Sequence, residues 1–299
     1  MKTVKILLAG YNGEKYIEEQ INTILKQQGI VPDIILSDDG SKDKTLEIVK
    51  EKYPYIKVSQ NIPGTGSAAK NFLKMVSGLD FNEHFEYVSF ADQDDVWMPE
   101  KMIKAIELLE ENHAELYCSN LTKWDTSDNS YNELKKDFPQ KKFDFLFEGG
   151  SAGCTYVFTR KFAKDLQNFL KNVDSTNWKG FSHDWLVYFF ARSRNCKVVI
   201  DKNSYIHYRL HQENVHGHLN KLSWNTVKEK SSEVFNGYYQ NHIKNYIQHL
   251  DKSSEAYAIY QQFLKGYFSR NRVILKYNTQ LMRDKKKFLI FAVLNLLKF

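Results

Sequence analysis

Three cysteines in 299 residues, Cys118, Cys154 and Cys196, are too few, too scattered and too odd in number for a disulfide framework. They point to a reducing compartment, and none has a neighbour at metal-ligand spacing. Long apolar runs are missing as well. No stretch reaches the ~20 residues that span a bilayer. The N-terminal run Met1 to Leu8 soon meets Gly10, Asn12 and Glu14 and lacks the small-residue cleavage site of a secretory signal. The expectation is a chain kept in the cytoplasm. No Walker sequence occurs, and no Gly-x-Gly-x-x-Gly follows a strand; Gly64-Thr65-Gly66 fits neither pattern. These absences argue against a nucleotide triphosphatase and a nicotinamide enzyme. There is no internal repeat and no RNA- or DNA-binding motif, so nucleic acid is not an expected partner.

What is present suits a folded catalyst. Hydrophobic residues make up 42% and aromatics 14%, enough for a substantial core. The net charge of +6 is unevenly spread. Residues 216–299 hold fourteen lysines and arginines against five acids, while residues 1–215 are slightly acidic. The reading is therefore an α/β catalytic domain over 1–215 and a basic helical region over 216–299.

Strands are expected at 3–9, 33–37, 56–59, 86–91, 115–119 and 204–208. Helices are expected at 14–28, 44–52, 68–79 and 100–112, with further helical stretches at 222–250 and 254–282. Residues 125–142 read as a polar surface loop. Strands alternating with helices signify a mostly parallel sheet covered on both faces, whose ligands bind beyond the carboxyl ends of the strands. Three motifs fall there: Ala9 to Tyr11, Asp38-Asp39, and Asp92 to Asp95.

Asp92, Asp94 and Asp95 crowd one strand end. Hard cations such as Mn²⁺ and Mg²⁺ take carboxylate and phosphate oxygens, and packed carboxylates repel unless something positive lies between them. Asp38 and Asp39 can accept hydrogen bonds from a ribose hydroxyl or a base, or can simply shape the turn before the next helix. Asp184 opens an apolar helical stretch, where it can cap the helix or act as a general base. His207, His211, His216 and His218 gather near Arg209, whose planar fork suits phosphate oxygens.

Together these segments resemble glycosyltransferase family 2, inverting enzymes of the GT-A fold. The resemblance runs from about 4 to 215 and rests on Leu8 to Ile17, Ser37 to Thr45, Ala91-Asp92-Gln93-Asp94-Asp95-Val96-Trp97 and His183-Asp184-Trp185. It implies nucleotide-sugar contacts from Ala9, Tyr11, Glu14, Asp38, Asp39, Asp92 and Gln93. It implies a metal held by Asp94 and His211, and Asp184 as the catalytic base. On the sugar and acceptor side it implies Asp95, Trp97, Gly153, Cys154, His183, Trp185 and Arg209. Many members carry Glu-Asp where this chain has His183-Asp184. The His-Asp-Trp form, with Tyr208 to Asn214, resembles the rhamnosyltransferase-like branch that builds bacterial surface polysaccharide. The expected reaction moves a sugar from a dTDP- or UDP-sugar to a saccharide or lipid-linked acceptor. L-rhamnose is the first expectation for the sugar, a UDP-hexose the second, and a nucleotidyltransferase a more distant rival. The run Arg283-Asp284-Lys285-Lys286-Lys287 before an apolar stretch predicts either a helix on an anionic membrane surface, on the inner face of the plasma membrane, or a docked helix or homodimer contact.

Overall fold

The computed structural model describes residues 1–210 and 234–298. Its organising element is strand β1 (Lys2–Gly10), whose apolar side chains alternate between two cores. Val4, Ile6 and Leu8 enter one, and Leu7 and Ala9 the other. A strand buried on both faces needs helices on both. Parallel strands β2 (Ile30–Asp38), β3 (Lys57–Gln60) and β4 (Tyr87–Asp92) give the order β3-β2-β1-β4. Between them run α1 (Ile17–Leu25), α2 (Thr45–Lys52) and α3 (Ala68–Ser77). Register lines up the carboxyl ends: Ala9 lies opposite both Ser37 and Asp92, and Gly10 opposite Asp38.

The second half of the sheet is mixed. β5 (Val96–Trp97), α4 (Lys101–Glu111), β6 (Leu116–Asp125), β7 (Ser130–Leu134), β8 (Val157–Thr159), α5 (Arg160–Leu170), α6 (His183–Ser193) and β9 (Val198–Leu210) follow in turn. β8 runs antiparallel between β4 and β6, and β9 lies parallel to β6 and antiparallel to β5. The segment 125–142 corrects the expectation of a loop, because β7 pairs with β6 as a hairpin. Its outward face is polar, which hid the strand; Trp124 and Tyr131, opposite each other, stack at 5.9 Å.

Four more helices cover the α3, α5 and α6 face: α7 (Tyr238–Tyr246), α8 (Glu255–Leu264), α9 (Tyr267–Tyr277) and α10 (Lys285–Leu297). The expected stretch 254–282 is broken at Gly266, whose φ of +129° suits glycine. Trp178 Nε1 donates to His242 Nδ1 at 2.9 Å, Trp185 packs on His242 at 4.6 Å, and Tyr260 donates its hydroxyl proton to Leu146 O at 2.6 Å. These helices thus share a core with the sheet; the expected boundary at 215 lies outside the described residues. None of the described helices is long and apolar enough to cross a membrane.

Phe291 of α10 is 2% exposed and packs against Phe147 at 5.3 Å. Phe291→Ala is expected to cost about 3–5 kcal/mol. Urea unfolding followed by tryptophan fluorescence and circular dichroism should show one shifted transition. Separate transitions, with the sheet unaffected, would contradict the shared core.

Candidate active site

The loop after β4 collects negative charge at the mouth of the sheet. Asp95 turns inward and is 1% exposed, and neither of its oxygens accepts an N–H or O–H hydrogen bond among the described residues. Its carboxylate, that of Asp92 and the Cys154 thiol come within 4.8 Å of one another. Burial, then the charges of Asp92 and Asp94, push the Asp95 carboxyl pKa well above its ordinary value. Asp92 is pushed up to about 7 by burial, then by Asp94 and by Asp184. The charge of Asp184, distant in sequence, thus reaches Asp92. Orphaned carboxylate oxygens beside two further acids fit a hard divalent cation. The thiol is a poor partner for such an ion, since burial and Asp95 keep it protonated.

Two clamps hold this loop. The Gln93 carboxamide pairs with the Tyr11 backbone in both directions, at 2.8 Å each. A Cβ on Gly13 would run into that carboxamide, so glycine is needed for close approach. On the other side, Arg209 Nε donates to Asp94 O at 2.9 Å and Nη2 meets Glu19 at 2.5 Å. The guanidinium lies over Trp124 and Tyr16, at 4.2 and 4.8 Å from the ring centroids. Beneath the loop, the Lys101 ammonium sits 3.6 Å from the Trp97 ring centroid, and burial pushes its pKa down to about 7.

The strand ends beside the loop are tied off by their own turns. Asp38 accepts from Gly40 N at 3.1 Å, Ser41 N at 3.0 Å and the Ser41 hydroxyl. Asp39 accepts from Thr65 N at 2.7 Å, Thr65 Oγ1 at 3.0 Å, Asn61 Nδ2 at 3.1 Å and Gly66 N at 3.2 Å. Glu14 is tied to the segment before α2: its N–H donates to Asp43 at 2.9 Å, and its carboxylate accepts from Lys44 N at 3.0 Å. Ala9 lines the floor, and Tyr11 is 56% exposed at the rim.

Opposite, Asp184 lies in the first turn of α6. The Ser182 hydroxyl and Trp185 N (2.7 Å) donate to its carboxylate. Its carbonyl accepts from the Tyr156 hydroxyl at 3.1 Å, and that same oxygen accepts from Gly150 N and Ser151 N at 3.1 and 3.2 Å. Tyr156 thus joins α6 to the loop 148–153. His183 stacks on Phe72 at 4.5 Å, and a Cβ on Gly153 would fall within its ring. Arg283, 5% exposed, closes the loop from behind. It reaches Glu148 at 3.2 Å, Lys136 O at 3.1 Å, Gly149 O at 2.5 Å and Gly150 O at 2.8 Å.

The expected site residues therefore divide. Asp92, Asp95 and Cys154 come together, with Asp94 in the same loop and His183 against Gly153. Several others have partners within the protein. Gln93, Asp38, Asp39 and Glu14 hydrogen-bond to neighbouring loops, and Arg209 grips the acidic loop's backbone. Trp97 and Trp185 are 2% and 4% exposed and belong to the cores. Trp185 Nε1 donates to Phe145 O at 2.9 Å, so its indole anchors α6 and α7. His211 lies outside the described residues. Lys136, Tyr156 and Arg283 were not singled out for this site by sequence. Arg283 stood in a run read as lipid-facing, and only the fold reveals that it points inward.

Arg283→Met removes one partner of a buried ion pair and strands Glu148 and three carbonyls. It is expected to lower the unfolding free energy by about 3–5 kcal/mol. Urea midpoints measure this; an unchanged midpoint would mean that the network carries no weight.

A model of the family described as glycosyl transferase family 2 matches residues 6–178. Over 294 residues, 97% of this chain and 99% of the relative, the sequence is 33% identical to the dTDP-rhamnosyl transferase RfbG of Shigella flexneri. The structure resembles S. aureus TarS 1-349 in complex with UDP-GlcNAc, with TM-score 0.57 and 20% identity, covering 93% of this chain and 75% of that one. It also resembles the mannosyltransferase PcManGT of Pyrobaculum calidifontis in complex with GDP-Man and Mn²⁺, with TM-score 0.55 and 12% identity, covering 93% and 73%. The two likenesses in structure bear out the expected GT-A fold, and with the family match and the full-length relative they lead to one conclusion: the chain belongs to glycosyltransferase family 2.

Proposed function

We propose that this glycosyltransferase moves L-rhamnose from dTDP-β-L-rhamnose to a saccharide or lipid-linked acceptor, with inversion, in surface polysaccharide synthesis. The observation that carries the reaction type is the acidic cluster at the carboxyl end of β4, where Asp92 and Asp95 lie within 4.8 Å of each other and Asp94 stands between them in the chain. The near full-length likeness to a dTDP-rhamnosyl transferase favours the donor.

Asp94 and Asp92 are the residues that would hold Mn²⁺ or Mg²⁺. The cation supplies positive charge against the donor's diphosphate. Tyr11, at the exposed rim, is available to the nucleotide, while Gln93 and Arg209 keep the acidic loop at its working height. Asp184 takes the proton from an acceptor hydroxyl. That oxygen forms the new bond to the anomeric carbon, and the old bond to the phosphate oxygen breaks with its electron pair leaving on the nucleoside diphosphate. Hydrogen bonds from Ser182 and Trp185 N hold the Asp184 carboxylate in place.

We place the chain in the cytoplasm, with α10 against the inner membrane surface. Leu289, Ile290, Val293, Leu296 and Leu297 of that helix are exposed, and Lys285, Lys286 and Lys287 stand at its start.

Asp184→Asn is expected to lower turnover by roughly 10²–10⁴-fold, the usual contribution of a general base, while leaving nucleotide affinity near that of the parent. Asp94→Asn should lose both turnover and cation-dependent nucleotide binding. Transfer assays and calorimetry with dTDP-rhamnose, UDP-glucose and UDP-GlcNAc, each with Mn²⁺ or Mg²⁺, test both the roles and the donor. Near-parental turnover by Asp184→Asn would remove the base; preference for a UDP-sugar would replace the donor.

A further inference from the structure

A row of polar side chains runs along α1 and meets the chain that follows β4. Glu19 and Thr23 of α1, and Gln27 just beyond its end, stand four residues apart, the spacing that stacks side chains on one helical face. Glu19 accepts from Arg209 Nη2 at 2.5 Å, and Arg209 Nε donates to Asp94 O at 2.9 Å. The Thr23 hydroxyl accepts from Trp97 N at 3.2 Å. Gln27 accepts from Met102 N at 3.0 Å and donates to Met98 O at 2.8 Å. The row thus holds the segment 94–102 at three successive turns.

Thr23 and Gln27 bind that segment directly, downstream of the acids, as packing of α1 on the chain requires. Glu19 differs, because its partner is charged and the group beyond that partner is the backbone of Asp94. The Arg209 guanidinium lies over the Trp124 and Tyr16 rings, which fix the tilt of its plane. Ring contacts of this kind leave it free to slide and turn within that plane. The carboxylate of Glu19 removes that freedom. Nε and Nη2 belong to one rigid fork, so holding Nη2 aims Nε. The same α1 follows directly on the loop whose Tyr11 backbone pairs with Gln93, so both flanks of the acidic loop are referred to one helix.

We propose that Glu19 is a positioning residue for the transfer reaction: through Arg209 it fixes the Asp94 carbonyl and so preorganises Asp94 for the cation. The idea rests on the reading of Asp94 as a cation ligand. It adds a residue that no motif marks, on a helix that the sequence reveals only through its apolar face. Groups that hold a metal ligand from behind are worth about 10- to 100-fold in metal affinity. Glu19 acts through Arg209, and its side chain is 51% exposed, so water takes over part of its role and the effect falls at the low end.

Two measurements on the full chain test this. Calorimetry follows binding of dTDP or UDP, whichever the parent binds more tightly, over a series of Mn²⁺ concentrations. Glu19→Gln should raise the half-saturating Mn²⁺ concentration about tenfold, while nucleotide affinity in EDTA and the urea midpoint stay near those of the parent. Arg209→Lys keeps the charge but loses the fork, and should do at least as much; adding Glu19→Gln to it should change little. Hydrogen exchange in EDTA, with no cation present, should quicken over residues 92–98 in Glu19→Gln and stay unchanged over β2. An unmoved Mn²⁺ requirement, full additivity in the double variant, or a lowered urea midpoint with the Mn²⁺ requirement unchanged would each reduce Glu19 to an ordinary ion pair and overturn the proposal. Asp94→Asn separates the two failures. If it keeps Mn²⁺-dependent binding, the cation reading falls and the proposal with it; if it loses that binding while Glu19→Gln behaves as the parent, only the proposal falls.

Discussion

Carboxylates gathered within a few ångströms repel one another, and much of this fold counters that repulsion at the end of β4. Asp92 and Asp95 lie there within 4.8 Å of each other and of the Cys154 thiol, and buried Asp95 accepts no N–H or O–H hydrogen bond among the described residues. Nothing about a parallel sheet end favours such crowding. The loop is held from outside by the Gln93–Tyr11 amide pairing on one flank and by Arg209 on the other. Both clamps bind the loop's framework, one through the Tyr11 backbone and the other through Asp94 O. Acids packed this way fit a hard divalent cation.

The same logic explains why polar residues around the cleft seldom point into it. Asp39 accepts four hydrogen bonds from the 61–66 loop, which fills a carboxylate's capacity. Asp38 does similar work for the turn at Gly40 and Ser41. Across the cleft, Tyr156 and Arg283 organise the acceptor loop through backbone groups. Preorganisation of this kind leaves few side chains free, and those few carry the chemistry.

The sequence made the framework legible where physics is local. The alternation of Val4, Ile6 and Leu8 with Leu7 and Ala9 marks a doubly covered strand, and Asp92 to Asp95 after an apolar run marks a strand-end site. What it hid were long-range partners. Trp97 and Trp185 sit next to functional aspartates, yet the turn of the chain drives their rings into the cores. Tyr131 reads as part of a polar loop because only pairing with Trp124 reveals the hairpin. Arg283 looks like one more base in a membrane-facing run until α9 and α10 carry it under the loop 148–150. Residue type at a motif is visible in one dimension, whereas the direction in which a side chain points is a property of the fold.

The central claim is that the loop after β4 presents a cation site to the donor diphosphate. Anomalous diffraction from crystals grown with Mn²⁺ and a nucleoside diphosphate addresses it directly. The account predicts a manganese peak about 2.1 Å from an Asp94 oxygen, a bond length set by hard-cation coordination, with Asp92 adjacent and phosphate oxygens completing the shell. A manganese peak away from these aspartates, or diphosphate bound with no manganese at this loop, would contradict it.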